Sequence, residues 1–136
     1  MADIEFEDNS MQVKTALEEA CIAWLYEAGG ELESQVKRNT AVDTGQLKGS
    51  WTYKVDESKQ EAKVGSPLEN AIWEEFGTGQ YALNGDGRKT PWKYQDAKGN
   101  WHKTTGKHPR RALHKAFESK KSALITSLKN KLKELD

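Results

Sequence analysis

The chain contains 136 residues, of which 35% are hydrophobic and 31% are charged. That length fits one domain, the five tryptophans argue against wholesale disorder, and no apolar run approaches the roughly 20 residues of a membrane span. The single cysteine, Cys21, excludes an internal disulfide framework, and the acidic residues that follow Met1 are the opposite of a basic signal-peptide start. We therefore expect a protein that is made in the cytosol and makes no contact with a membrane.

The net charge of zero conceals an uneven distribution of charge along the chain. Residues 1–87 contain 7 lysines and arginines against 17 aspartates and glutamates, a formal charge of −10. Residues 88–136 contain 14 against 4, a formal charge of +10. Three interpretations remain open: the halves neutralise each other inside one domain, the acidic face of one subunit meets the basic face of the next, or the basic half contacts nucleic acid.

The first predicted elements are a flexible acidic arm over residues 1–9 and then one domain over residues 10–136. From Ser10, which suits an N-cap, apolar residues recur every three or four positions and predict one long helix. Gly29-Gly30 interrupts this pattern, which favours a kink or a close backbone approach there, with a break into two helices as the alternative. The apolar residues of the pattern are Val13, Leu17, Ala20, Trp24, Ala28, Leu32 and Val36.

Strand and helix patterns follow one another in the middle of the chain. Residues 47–55 alternate apolar with polar side chains, which predicts a half-buried strand, and residues 61–64 continue the alternation as its hairpin partner. Residues 68–76 predict a short helix, because their apolar residues are spaced four apart.

A loop and a second hairpin come next. Residues 77–91 are rich in glycine and polar residues, so we expect them to lack fixed structure in a free monomer and to become ordered on assembly. The second hairpin places Trp92 and Tyr94 on one strand and Trp101 on the other, where their rings are expected to pair.

A final basic helix is predicted to begin at Pro109. Together the elements predict an α+β fold: a small, mainly antiparallel sheet flanked by a long N-terminal helix and a long C-terminal helix, with an extended Gly-rich loop and a Trp hairpin. The apolar face of the final helix comprises Leu113, Phe117, Leu124, Leu128, Leu132 and Leu135.

Short motifs give weak support for chemistry. Asp43-Thr44-Gly45 matches the active-site triplet of aspartic proteases, but the preceding residues are too polar for the strand that such a site needs, and a homodimer would be required. A turn in which Asp43 accepts backbone N–H bonds and Gly45 takes a positive φ is favoured. The segments 77–79 and 85–90 lack the glycine spacing of dinucleotide-binding and phosphate-binding loops.

The titratable residues form no catalytic or metal-binding pattern. His102, His108 and His114 are six apart, not at the i, i+4 spacing that sets two ligands on one helix face. Glu74 and Glu75 are adjacent, so their side chains diverge on a helix. We therefore expect no enzyme activity, no cofactor and no metal site.

Four segments, in this order and spacing, resemble the tail-component family of long-tailed bacteriophages, which comprises tail-completion and head–tail joining proteins. Residues 40–50 resemble its Pro-Val-Asp-Thr-Gly-x-Leu-Arg-x-Ser signature, and residues 71–78 resemble its Tyr-Ala-x-x-x-Glu-Phe-Gly-Thr segment. Residues 92–106 are similar to its Trp-rich hairpin, and residues 108–117 to the start of its last helix. Among the departures, an alanine at position 41 replaces the usual proline.

The resemblance implies a structural protein of the virion neck. In this family, copies form a ring at the tail end, here of about six copies, that completes the tail and joins it to the head. The implied partners are the tail-tube and head-connector proteins, with passing contact to genome DNA and assembly in the host cytoplasm. The alternative function is a nucleic-acid-binding module that uses the basic C-terminal half.

Interface residues are expected among exposed aromatic and basic side chains. Trp51 and Trp73 are either interface anchors or simply part of the core. The candidate interface residues are Trp73, Phe76, Arg88, Lys89, Arg110 and Arg111.

Overall fold

A computed structural model describes residues 7–42 and 45–135. The predicted α+β class is confirmed, and within these ranges no helix is long and apolar enough to span a membrane. The elements in chain order are α1 (Ser10–Asn39), α2 (Gln46–Ser50), β1 (Thr52–Asp56), β2 (Glu61–Gly65), α3 (Glu69–Phe76), a 3-10 turn (Gly79–Tyr81), β3 (Trp92–Gln95), β4 (Trp101–Thr104) and α4 (Ala112–Lys133).

Helix α1 is one unbroken helix of 30 residues. Its N-cap is Asn9, and the prediction of Ser10 as the N-cap was wrong, because Ser10 is already helical and its N–H donates to Asp8 Oδ1 at 2.9 Å. Most of the acidic arm predicted over residues 1–9 lies outside the described residues.

The glycine pair of α1 lies where the first hairpin packs against the helix. Gly29 is buried under the ring of Tyr53 from β1, and a Cβ atom at that position would lie 2.9 Å from Tyr53 Cγ. The helix does not break at the glycine pair. The absence of a side chain at Gly29 instead lets another group approach the helix closely, and that group is the ring of Tyr53 and not the backbone of a neighbouring element.

Helices α1 and α4 pack antiparallel. Trp24 Nε1 donates to the carbonyl of Leu124 at 2.7 Å, and Asn39 Nδ2 donates to the carbonyl of Ala112 at 3.1 Å. The C-terminal end of α1 therefore lies at the N-terminal end of α4.

Ion pairs between these helices join the acidic half of the chain to its basic half. Lys120 Nζ lies 3.7 Å from Glu31 Oε2, and Lys131 Nζ lies 3.4 Å from Glu27 Oε2. At these sites the two halves neutralise each other inside one chain, as the first interpretation of the charge distribution expected.

The predicted strand over residues 47–55 is only partly correct. Residues 52–56 form β1, which pairs with β2 in the register Tyr53↔Val64, but residues 46–50 form the short helix α2. Gly45, at φ 81°, is the N-cap of this helix, and its carbonyl accepts the N–H of Gly49 at 3.0 Å. The pattern misled because apolar residues at 47 and 51 fit a period of four as well as a period of two.

The core is small and lies where α1, α2, α3 and α4 meet. Trp51 is 3% exposed, and its Nε1 donates to Thr40 Oγ1 at 2.9 Å. Trp51 is therefore a core residue and not an interface anchor. The buried cluster comprises Val36, Trp51, Ala71, Ala112 and Ala116, with Leu47 and Leu113 packed against it.

The second hairpin forms its own two-stranded sheet, so the described strands make two small sheets and not one. The expected pairing of its tryptophans was wrong, because Trp92 lies opposite Thr104 and Trp101 lies opposite Gln95. Tyr94 instead stacks on His102, with ring centroids 5.3 Å apart.

The glycine-rich segment 77–91 is partly held in place. The N–H of Thr78 donates to the carbonyl of Lys107 at 2.9 Å, and the N–H of Leu83 donates to the carbonyl of Phe76 at 2.7 Å. The expectation of a segment without fixed structure is therefore wrong for residues 77–83. Ordering on assembly stays a prediction for residues 84–91.

Candidate functional site

Helix α3 presents one face to the core and an apolar face to solvent. Ala71 and Glu75 are buried, whereas Ile72 is 60% exposed, Trp73 47% and Phe76 40%. Exposed aromatic side chains clustered on one helix face are typical of a protein–protein contact.

The buried carboxylate of Glu75 fixes α3 to the start of α4. Its two oxygens accept the N–H groups of Leu113 and His114 at 3.0 and 2.9 Å. These are the second and third residues of α4, whose own N-cap, Arg111, is left-handed at φ 55° and makes no side-chain cap. Glu75 thus supplies the cap from 38 residues away.

This arrangement corrects the predicted start of the final helix. Pro109 was expected to be its first residue, but α4 begins at Ala112. The chain reaches it through two backbone bonds, in which the N–H groups of Arg110 and Arg111 donate to the carbonyl of Glu74 at 2.7 and 3.3 Å.

Glu74 points away from Glu75 and holds two cations. Its carboxylate contacts Lys107 Nζ, and its second oxygen lies 3.6 Å from Arg110 Nε. The two adjacent glutamates diverge as predicted, one toward a helix terminus and the other toward a basic loop.

A groove of about 920 Å³ opens between α3 and the second hairpin. We call it the aromatic groove. Arg88 adds a cation–π contact at its edge, 5.9 Å from the centroid of the Trp92 ring. The aromatic groove is lined by Trp73, Trp92 and Tyr94 and by the basic side chains of Arg88, Lys107 and Arg110.

The formal charge of the aromatic groove is positive. Arg88, Lys107 and Arg110 each contribute one positive charge, and Glu74 is the acidic residue in its lining. Aromatic faces beside surplus positive charge favour a ligand that combines acidic and apolar side chains.

The structure brings together three of the six predicted interface residues. Trp73, Arg88 and Arg110 line the aromatic groove, whereas Phe76 and Lys89 are exposed outside its lining. Arg111 is half-buried at the start of α4, and its Nε is buried with no hydrogen-bond partner in the described part of the chain.

Among the aromatic and basic residues of the groove, sequence reasoning missed three. Trp92 and Tyr94 were expected to pair with Trp101, but their register instead leaves them facing α3 across the groove. The alternation of the hairpin was the available signal, because it places these two residues on one face. Nothing local to Lys107 indicated its contact with Glu74.

His108 and His102 each contact a different side chain. His108 stacks on Tyr81 with ring centroids 3.8 Å apart, and His102 Nε2 lies 2.7 Å from Asp96 Oδ2. That hydrogen bond, with the backbone N–H groups of the same turn, holds the pKa of Asp96 below its ordinary value. The aspartate and threonine of the Asp43-Thr44-Gly45 triplet lie outside the described residues.

One comparison with known proteins gives a match. A family model described as "Bacteriophage HK97-gp10, putative tail-component" matches residues 4–77, which is more than half of the chain. Neither the curated proteins nor the solved structures contain a match.

Proposed function

Because the chain belongs to the HK97-gp10-like family of bacteriophage tail components, we propose that it forms a ring in the neck of the virion. In that position it completes the tail and joins it to the head connector. Its role is structural, and it acts through the surfaces by which copies contact each other and the neighbouring proteins.

The observation that carries this proposal is an excess of exposed surface. The chain exposes 10093 Å², whereas a compact monomer of 15.3 kDa exposes roughly 7,100 Å². Nine residues lie outside the described ranges, and even their full exposure would add only about 1,500 Å². The remaining excess of roughly 1,500 Å² makes the chain less compact than a typical monomer of its mass, which is consistent with a subunit that buries part of its surface against neighbours.

Exposed apolar residues lie on several elements of the fold, and two of these patches are well separated, as a ring requires. One patch is the outer face of α3, with Ile72 and Trp73, and the other is the first turns of α1, where Met11 is 71% exposed and Val13 62%. A ring closes through heterologous contacts, in which one patch of each subunit meets a different patch of the next.

Two experiments test the proposal. Purified chain is expected to give one oligomer of fixed size by light scattering and a ring by negative-stain electron microscopy. A phage that cannot make the chain is expected to accumulate filled heads and separate tails, which join when purified chain is added. Joined, infectious particles formed without the chain would overturn the proposal.

A second candidate function is contact with nucleic acid through α4. Its exposed lysines 115, 129 and 133 make no ion pair within the described part of the chain, so they are available to phosphate groups. A gel shift with nonspecific DNA at low and moderate salt tests this function. Binding that survives moderate salt would favour it over a purely structural role, and Lys129→Gln with Lys133→Gln is expected to weaken such binding.

A further inference from the structure

We propose that the aromatic groove of one copy receives the acidic N-terminal arm, residues 1–9, of a neighbouring copy. This inference rests on the proposed ring, since it names the contact that links adjacent subunits. The contact joins a positively charged aromatic groove to an acidic segment that carries two apolar side chains.

The arm matches the groove in chemistry. Its sequence, Met-Ala-Asp-Ile-Glu-Phe-Glu-Asp-Asn, alternates acidic residues with Ile4 and Phe6. The carboxylates complement the basic side chains of the groove, and the two apolar residues complement its aromatic faces.

The arm of each chain begins at the end of α1 opposite the groove residues Ala41 and Val42. Helix α1 contains 30 residues and spans about 44 Å between its end residues. Ala41 and Val42, which directly follow the other end of α1, line the groove. Nine fully extended residues span at most about 31 Å, so the arm falls about 13 Å short of these residues, and we assign the groove to the arm of another copy.

The resulting contact is heterologous. Each copy offers its arm at one end of α1 and its groove at the opposite end, so successive copies associate head to tail. The exposed apolar residues Met11 and Val13 lie beside the arm and extend the same contact beyond the groove.

The test is peptide binding to the full-length chain. The acceptor carries Asp3→Asn, Glu5→Gln and Glu7→Gln, so that the arms of other acceptor copies compete less with the probe. The probe is a fluorescein-labelled peptide of residues 1–9, and binding is followed by fluorescence anisotropy. We expect saturable binding that weakens about tenfold when Arg88→Gln and Arg110→Gln are added to the acceptor.

Matched controls identify the two partners of the contact. Lys129→Gln with Lys133→Gln removes the same charge from exposed positions of α4 and is expected to leave peptide binding unchanged. A peptide in which Ile4 and Phe6 are serine is expected to bind about tenfold more weakly. Circular dichroism confirms that each acceptor variant is folded before binding is measured.

The outcomes separate this inference from the proposed function. No peptide binding, or equal binding by the groove and control variants, overturns the inference even where the unaltered chain forms rings. Groove-dependent binding supports it even where rings do not form, and the absence of rings then counts only against the proposed function.

Discussion

The adjacent glycines of α1 give a sharp test of how this helix packs against the first hairpin. Gly29→Ala would place a methyl group 2.9 Å from Tyr53 Cγ, the ring atom bonded to Cβ, so relief requires rotation of the whole side chain or movement of β1. Gly30→Ala would place its methyl group 3.9 Å from Tyr53 Cε1, an ordinary van der Waals contact. The two substitutions are chemically identical and differ in the distance between the new methyl group and the Tyr53 ring.

The expected magnitudes follow from that difference. Each alanine gains about 1 kcal/mol of helix propensity over glycine, so this gain cancels when the variants are compared. Overpacking costs about 1–3 kcal/mol and applies to Gly29→Ala alone. We expect Gly30→Ala to raise the free energy of unfolding by about 1 kcal/mol and Gly29→Ala to fall about 1–3 kcal/mol below it.

Urea denaturation followed by tryptophan fluorescence and circular dichroism measures both values. The control repeats the pair in a Tyr53→Ala background, where the difference between the glycine variants should disappear. Equal stability of Gly29→Ala and Gly30→Ala in the unaltered background would refute the close contact between α1 and the Tyr53 ring.

Three further predictions concern other contacts. Glu75→Ala removes the charged cap of α4 and is expected to lower the free energy of unfolding, measured in urea, by about 2–3 kcal/mol. The control Glu118→Ala, at an exposed position of α4, should change it by less than about 0.5 kcal/mol. Similar values for both variants would refute the cap. Ile72→Ser is expected to change the free energy of unfolding by less than about 0.5 kcal/mol but to weaken self-association measured by analytical ultracentrifugation. Unchanged self-association would exclude the outer face of α3 from the interface. Because the pKa of Asp96 is lowered in the folded chain, its contribution to stability is present above the ordinary pKa of about 3.9 and is lost as pH falls through the folded-state value. NMR titration of the Asp96 carboxyl should show a higher pKa, closer to the ordinary value, in His102→Gln. A titration midpoint that does not change would contradict the hydrogen bond between His102 and Asp96.

That the candidate residues form an interface stays a prediction, but three of them lie in one groove. Trp73, Arg88 and Arg110 were expected at an interface because exposed aromatic and arginine side chains anchor contacts, and the structure places them in one groove. Their common location was not predictable, since Arg88 and Arg110 lie on loops whose path depends on contacts made elsewhere.

The start of α4 shows most clearly where local reasoning ends. Pro109 suits a first helical position, yet the helix begins at Ala112 because Glu75 caps it there. The capping carboxylate belongs to a different helix, so no pattern around residues 109–112 contains the information.

The sequence by itself determined the two long helices, the two hairpins and the family of this protein. These features depend on periodic apolar residues and on motifs whose members lie near one another along the chain. The tertiary structure alone decided that Gly29 accommodates Tyr53, that residues 46–50 are helical and that three cations and three aromatic rings meet in one groove. Each of these outcomes depends on contacts between residues distant in sequence, which local periodicity does not encode.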